Sequence, residues 1–284
     1  MITLLFRKFN SALYYLKQYT NKKSERFLEV KLFIKVFFVY RIINSKAKVA
    51  IGTTFNPKGG VANHILSLHK YLKISNTIVP SYHDSITFGE KAKYNLFRIW
   101  VNKYNLLKNN VLHSHADVWF INYCKRQQEN RSIKWVHTYH LPYFKEFHGD
   151  FLDWQIEMNQ SLFDTAKQAD IKISVGKWLK EYLKDEYNIN TIYIPNCVDY
   201  DKCQLANANR FIKTFNLKDF ILFASKLDYV KNPVEFVKLS ALMPQEQFVI
   251  IGSNITKEAL ENLYKQKLPL NLHVVSGYLD HETL

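Results

Sequence analysis

From Lys46 onward, apolar positions alternate between two spacings. KAKVAIGTTF (46–55) is a short β-rich run that ends in the turn NPKGG. Next, VANHILSLHKYLK places Val61, Ile65, Leu66, Leu68 and Leu72 at helical intervals. The pattern recurs. NTIVP (76–80), NNVLHSH (109–115), SIKWVHTYH (132–140), DIKISV (170–175) and NTIYIPN (190–196) read as strands. Helices are expected through DVWFINYCKRQ, over 152–168 and over GKWLKEYLKDEY. Strands with apolar runs, each followed by a helix, predict a mostly parallel sheet covered on both faces.

A polar, Asn-rich stretch at 198–217 reads as a linker. A second alternation follows: strand DFILFASKL (219–227), helix NPVEFVKLSALM with Pro233 in its first turn, strand QFVIIGS (247–253), helix TKEALENLYKQ and strand NLHVVSG (271–277). The expected organisation is a leader at 1–45, a first domain at 46–197, the linker at 198–217 and a partial second domain at 218–284. Three strands and two helices are few for a doubly wound domain, so the second is expected to be incomplete.

The leader carries Arg7, Lys8, Lys17, Lys22, Lys23, Arg26, Lys31, Lys35 and Arg41 against Glu25 and Glu29. It reads either as a surface-seeking amphipathic segment for an anionic membrane or as a helix packed on the next domain. Its greasiest part, 27–43, is interrupted by Lys31, Lys35 and Arg41, short of the roughly 18–20 uncharged residues of a spanning helix. No secretory signal pattern is present. The 284-residue chain has 39 Lys and Arg against 25 Asp and Glu, a net charge of +14. That favours polyanions in general: anionic lipid, phosphorylated small molecules or nucleic acid. No recognition-helix, RNP-like or zinc-finger pattern occurs, so nucleic acid is not an expected partner. Cys124, Cys197 and Cys203 lack CxxC spacing, which argues against a disulfide framework or structural zinc and for a reducing cytoplasm.

Candidate chemistry gathers at strand ends. Gly59 and Gly60 sit between the first strand and its helix, where backbone amides can meet an anion; an ordinary tight turn is the alternative. His113 and His115 end one strand, and His137 and His140 end another, at the edge where α/β proteins bind ligands. Their spacing is not the helical pair of a zinc protease, so no metal is expected. Lys226 and Lys231 bracket the first strand end of the second domain and suit a diphosphate; two exposed lysines are the alternative.

In order, GGVANHILSLHKYL, VLHSHAD, WVHTYH, SVGKWLKEYL, IPNCVD, FASKLDYVKNP and FVIIGS resemble glycosyltransferase family 4 over about residues 47–284. The resemblance implies an α/β GT-B fold: two Rossmann-like doubly wound domains facing a cleft. It implies a retaining transferase that moves a sugar from a nucleotide-sugar donor to a polysaccharide or lipopolysaccharide acceptor. It would be cytoplasmic and peripheral on the inner membrane face, with no cofactor and no metal. Gly59 and Gly60 match the family's cleft glycine loop, and His140 matches the histidine beside the transferring sugar. His137 and His115 are secondary candidates. Lys226 and Lys231 match the basic pair that holds the donor diphosphate.

The chain departs from the family pattern at three places. Lys226 stands for arginine and lacks its planar two-pronged grip. Cys197 replaces a turn glycine. The family's paired glutamates, which hold the donor's sugar and ribose, are expected beyond Leu284; Glu282 is not one of them. A truncated, catalytically inactive relative is therefore the alternative expectation.

Overall fold

The computed structural model describes residues 46–52, 59–79, 97–99, 101–102, 107–225, 227–252, 254–277 and 279. The leader, Lys226 and Glu282 lie outside them. The described residues fall into two compact units. One holds those up to Pro142 together with Leu152–Val198; the other holds Tyr143–Phe151 and those from Asp199 onward.

The first unit is a six-stranded sheet: β1 (Val49–Gly52), β2 (Asn76–Val79), β3 (Val111–Ser114), β4 (Lys134–Tyr139), β5 (Ile171–Ser174) and β6 (Ile192–Tyr193). The order is β2-β1-β3-β4-β5-β6, and every neighbouring pair is parallel. Parallel strands need crossovers. Helices α1 (Gly60–Tyr71) and α2 (Val118–Asn130) follow β1 and β3.

Side chains alternate across the sheet and separate two cores. Val49 and Ile51 pack with Val61, Ile65, Leu68 and Leu72 of α1. On the opposite face Ala50, Leu112, Trp135 and Tyr139 join Phe120, Ile121 and Tyr123 of α2. Leu66, expected in the apolar stripe of α1, is exposed, because the covered face needs only the residues at 61, 65, 68 and 72. Gly52 is required by close approach. A Cβ there would lie 1.9 Å from the Phe120 ring.

Polar residues fix the strand ends. Trp135, fully buried, donates from Nε1 to Ser114 Oγ at 2.8 Å, which satisfies its one polar atom. Asp117 caps α2 by accepting from the Phe120 amide at 3.1 Å, and its other oxygen meets Arg98 Nη2 at 3.1 Å. The aspartate of the VLHSHAD motif thus sets where β3 ends and α2 begins.

The helix expected over 152–168 changes winding on the way. After α3 (Lys145–His148) comes α4 (Asp153–Gln160), which passes into a π turn (Ser161–Thr165) and a 3-10 turn (Ala166–Gln168). The wider turn buries Leu162, whose carbonyl accepts from Tyr139 Oη at 3.1 Å. Helix α5 (Lys177–Tyr187) ends on Asn188 in the left-handed conformation, φ 52°.

The second unit is a parallel three-stranded sheet, order β7 (Phe220–Ala224), β8 (Gln247–Gly252), β9 (Leu272–Ser276). Residues 198–217, read as a linker, contain α6 (Tyr200–Gln204) and α7 (Asn209–Phe215). The polar composition concealed Phe211, which is buried against Val249, Ile251 and Val275. On the other face α8 (Pro233–Leu242) and α9 (Lys257–Tyr264) contribute Val237 and Leu260 to a core with Phe248 and Ile250. Gly252 also reflects close approach, with the Ser225 carbonyl oxygen 2.0 Å from where a Cβ would stand. Cys124, Cys197 and Cys203 are all free thiols.

Candidate active site

The strand order of the first unit reverses direction between β1 and β3. In open parallel sheets ligands bind beyond the carboxyl ends of the strands at such a switch point. Four histidines gather there.

His113 lies on β3 and His140 just beyond β4, on the α1 side of the sheet, since the register pairs His113 with Val136 and side chains alternate. His113 Nε2 hydrogen-bonds Thr138 Oγ1 at 2.8 Å. The His115 ring stacks on that of His113 with centroids 4.4 Å apart. His115 Nδ1 meets His140 Nε2 at 3.1 Å. His64, from the first turns of α1, completes the group, its ring centroid 5.0 Å from His140 and 5.5 Å from His115.

These imidazoles are held neutral. Burial, with the neighbouring His64, pushes His113 and His140 down to about 3. His115, wholly buried, is shifted well below the ordinary range by burial and then by the surrounding histidines. Burial lowers His64 as well, against the influence of the Asn196 side chain, an acceptor that opposes the shift. A neutral imidazole has one N–H donor and one lone pair, so the cluster can both give and accept hydrogen bonds.

His137 belongs elsewhere. It pairs in register with Ser114, accordingly faces the α2 core, and its Nδ1 hydrogen-bonds Ser114 Oγ at 2.8 Å. Its ring meets Tyr139 edge-on at 4.4 Å. Strand alternation therefore separates His137 from the cluster that contains His115 and His140.

Gly59 is the N-cap of α1, and Gly60 its first residue; Gly59 has ordinary extended backbone, and no side chain caps the helix. Nothing among the described residues stands within 4 Å of where either Cβ would be. Among the described residues neither packing nor strain demands glycine here, and none caps the first amides of α1 with a side chain.

In the second unit Lys231 ends a 3-10 turn (Tyr229–Lys231) before α8 and is exposed. Its amide donates to the Asp228 carbonyl at 3.0 Å. Asn232 follows in the left-handed conformation, φ 47°, and Pro233 opens α8 with no side-chain cap. A cation thus stands in the turn that leads into the N-terminus of a helix.

Two solved structures align with most of the chain. UDP-GlcNAc 2-epimerase from Neisseria meningitidis bound to UDP-GlcNAc matches with a TM-score of 0.51 and 10% identity, over 83% of this chain and 73% of that one. A trehalose-6-phosphate synthase, studied with bisubstrate glycomimetics for transfer with retention, matches with a TM-score of 0.51 and 13% identity, over 83% and 74%. The chain has the GT-B fold. No family model and no curated protein matches the sequence.

In the first unit the histidine cluster occupies the switch point of the sheet. Sequence reasoning had not picked out His64. Its signal was position: it precedes Ile65 and stands three residues after Val61, on the side of α1 that turns toward the sheet. Among the described residues no helix is long and apolar enough to cross a membrane.

Proposed function

We propose that the chain is a glycosyltransferase of the family 4 type, which moves a sugar from a nucleotide-sugar donor to a glycan or glycolipid acceptor with retention of configuration. The carrying observation is the neutral imidazole cluster at the switch point of the first unit, beside the open first turn of α1. The GT-B fold, shared with a UDP-GlcNAc-bound epimerase and a retaining trehalose-6-phosphate synthase, supports the reading.

In this reading the bond between the anomeric carbon and the diphosphate oxygen breaks, and a bond to the acceptor hydroxyl forms on the same face. The acceptor proton passes to the departing diphosphate. Negative charge grows on that leaving group, and fixed cations stabilise it. Lys231, just before the N-terminus of α8, has that role together with Lys226. His140, neutral, hydrogen-bonds the transferring sugar without repelling an oxocarbenium-like centre. Gly59 and Gly60 let the ligand approach the α1 backbone. The basic leader would bring the enzyme to an anionic membrane face on the cytoplasmic side, where a glycolipid acceptor is embedded.

The test is calorimetric titration with a panel of nucleoside diphosphates and their sugars. One base should bind best, and Lys231→Ala should weaken it by about 1.5–3 kcal/mol, roughly 10- to 100-fold, as expected for a lost charged hydrogen bond. Unchanged affinity in that variant would overturn the assignment of Lys231. Because the fold also serves an epimerase, the product should be identified as transferred or isomerised sugar.

A further inference from the structure

We propose that His64, His115 and His140 form a binding site for one divalent transition cation of the zinc class. Each residue offers a ring nitrogen, and these three atoms lie within 4.8 Å of one another. They come from three separate elements, α1 and the ends of β3 and β4, so sequence spacing could not reveal the set. Tetrahedral zinc with bonds of roughly 2.0–2.1 Å holds its nitrogens about 3.3 Å apart. His115 Nδ1 and His140 Nε2 already stand at 3.1 Å. His64 has to close the remaining gap, a movement within reach of its side-chain rotation.

The second observation is unused bonding capacity. His64 Nδ1 is buried and has no hydrogen-bond partner among the described residues. A buried polar atom left unsatisfied costs roughly 1–3 kcal/mol, so a residue kept that way calls for a ligand.

The donor set selects the metal. The cluster contains no carboxylate or thiolate, and three imidazoles suit zinc, copper, nickel or cobalt rather than magnesium or calcium. Three protein ligands leave a fourth position open. The surroundings resemble those of a built site: His113, anchored on Thr138, stacks under His115. The site shares His140 with the proposed sugar site, but it is independent of the transferase reading because it needs no nucleotide.

The experiment uses the full chain with the exposed thiols removed (Cys197→Ser, Cys203→Ser), stripped with chelator and titrated with Zn2+ by calorimetry in the absence of any nucleotide. One equivalent should bind, and the melting temperature of the first unit should rise with occupancy. His64→Ala should weaken binding by roughly 10- to 100-fold or more, since even outer-shell changes cost that much. His69→Ala, on the outer side of the same helix, should not. Co2+ gives a second readout without touching the histidines: the same thiol-free chain should show the intense visible bands of a low-coordinate nitrogen site. An aqua-like Co2+ spectrum, or Zn2+ affinity equal in wild type and His64→Ala, would overturn the proposal. Nucleotide binding without metal binding would leave the transferase reading standing and remove this one.

Discussion

The two units end their strands in opposite ways. In the first, β3 and β4 run out into imidazoles that are buried, mutually hydrogen-bonded and uncharged. In the second, β7 leads through an exposed turn to Lys231, a fixed cation with no salt bridge among the described residues. Burial decides the difference. A charge cannot be kept where water is excluded without a partner, so the buried edge holds groups that can become neutral, while the exposed edge keeps its charge. In the proposed reaction, uncharged hydrogen-bonding groups suit the sugar and permanent positive charge suits the phosphate.

The largest change expected from a single methyl group is in the second unit. Gly252→Ala drives a Cβ against the Ser225 carbonyl, which is backbone and cannot turn aside. The cost should reach roughly 3 kcal/mol, the upper range for overpacking, and a three-stranded unit should lose its cooperative melt. The matching change in the first unit, Gly52→Ala, meets the Phe120 side chain instead. Adding Phe120→Leu should recover much of that loss, whereas Ile255→Val should not rescue Gly252→Ala. Denaturant melts of the four variants decide whether the two glycines differ as described.

Next is His140→Ala, which should lower the transfer rate by roughly 10²–10³, the usual cost of a lost hydrogen bond at a developing charge, with folding retained. Circular dichroism and steady-state rates check both halves.

Acid should separate the units. His113 and His140 stay neutral in the native state down to about 3, whereas in the unfolded chain they take up protons near 6.5. The unfolded state therefore binds more protons between those values, and native stability falls as pH drops through that window. Each such histidine contributes about 1.4 kcal/mol per pH unit. Above 6.5 the contribution is flat. Urea melts from pH 7 to 5 should show the first unit losing stability faster than the second. His113→Asn should flatten the slope. The smallest effect belongs to the exposed Lys238–Glu235 pair at 2.8 Å: Lys238→Ala should leave the melt of the second unit unchanged within error.

Much of the fold was legible because period-2 and period-3.6 patterns report burial directly: VAIG, KWVHTY and QFVIIG could hardly be other than buried parallel strands. The helices at 198–217 were missed because Phe211 is a lone apolar anchor in a polar stretch, and a single buried ring leaves no period. The site was half legible. Strand ends flagged His115, His137 and His140, but the split between them depends on register, which sets His137 with Ser114 on the far face. His64 was invisible for a different reason. A histidine in an amphipathic helix carries no sign that two strand ends will arrive beside it.

The most direct test of the account measures nucleoside diphosphate release and sugar product from the donor that binds best, for wild type, His140→Ala and Lys231→Ala. The expected result is a split: His140→Ala lowers kcat with the donor KM nearly kept, and Lys231→Ala raises the donor KM. Product formation that is equal in all three chains, or absent with a donor the wild type binds, would contradict it.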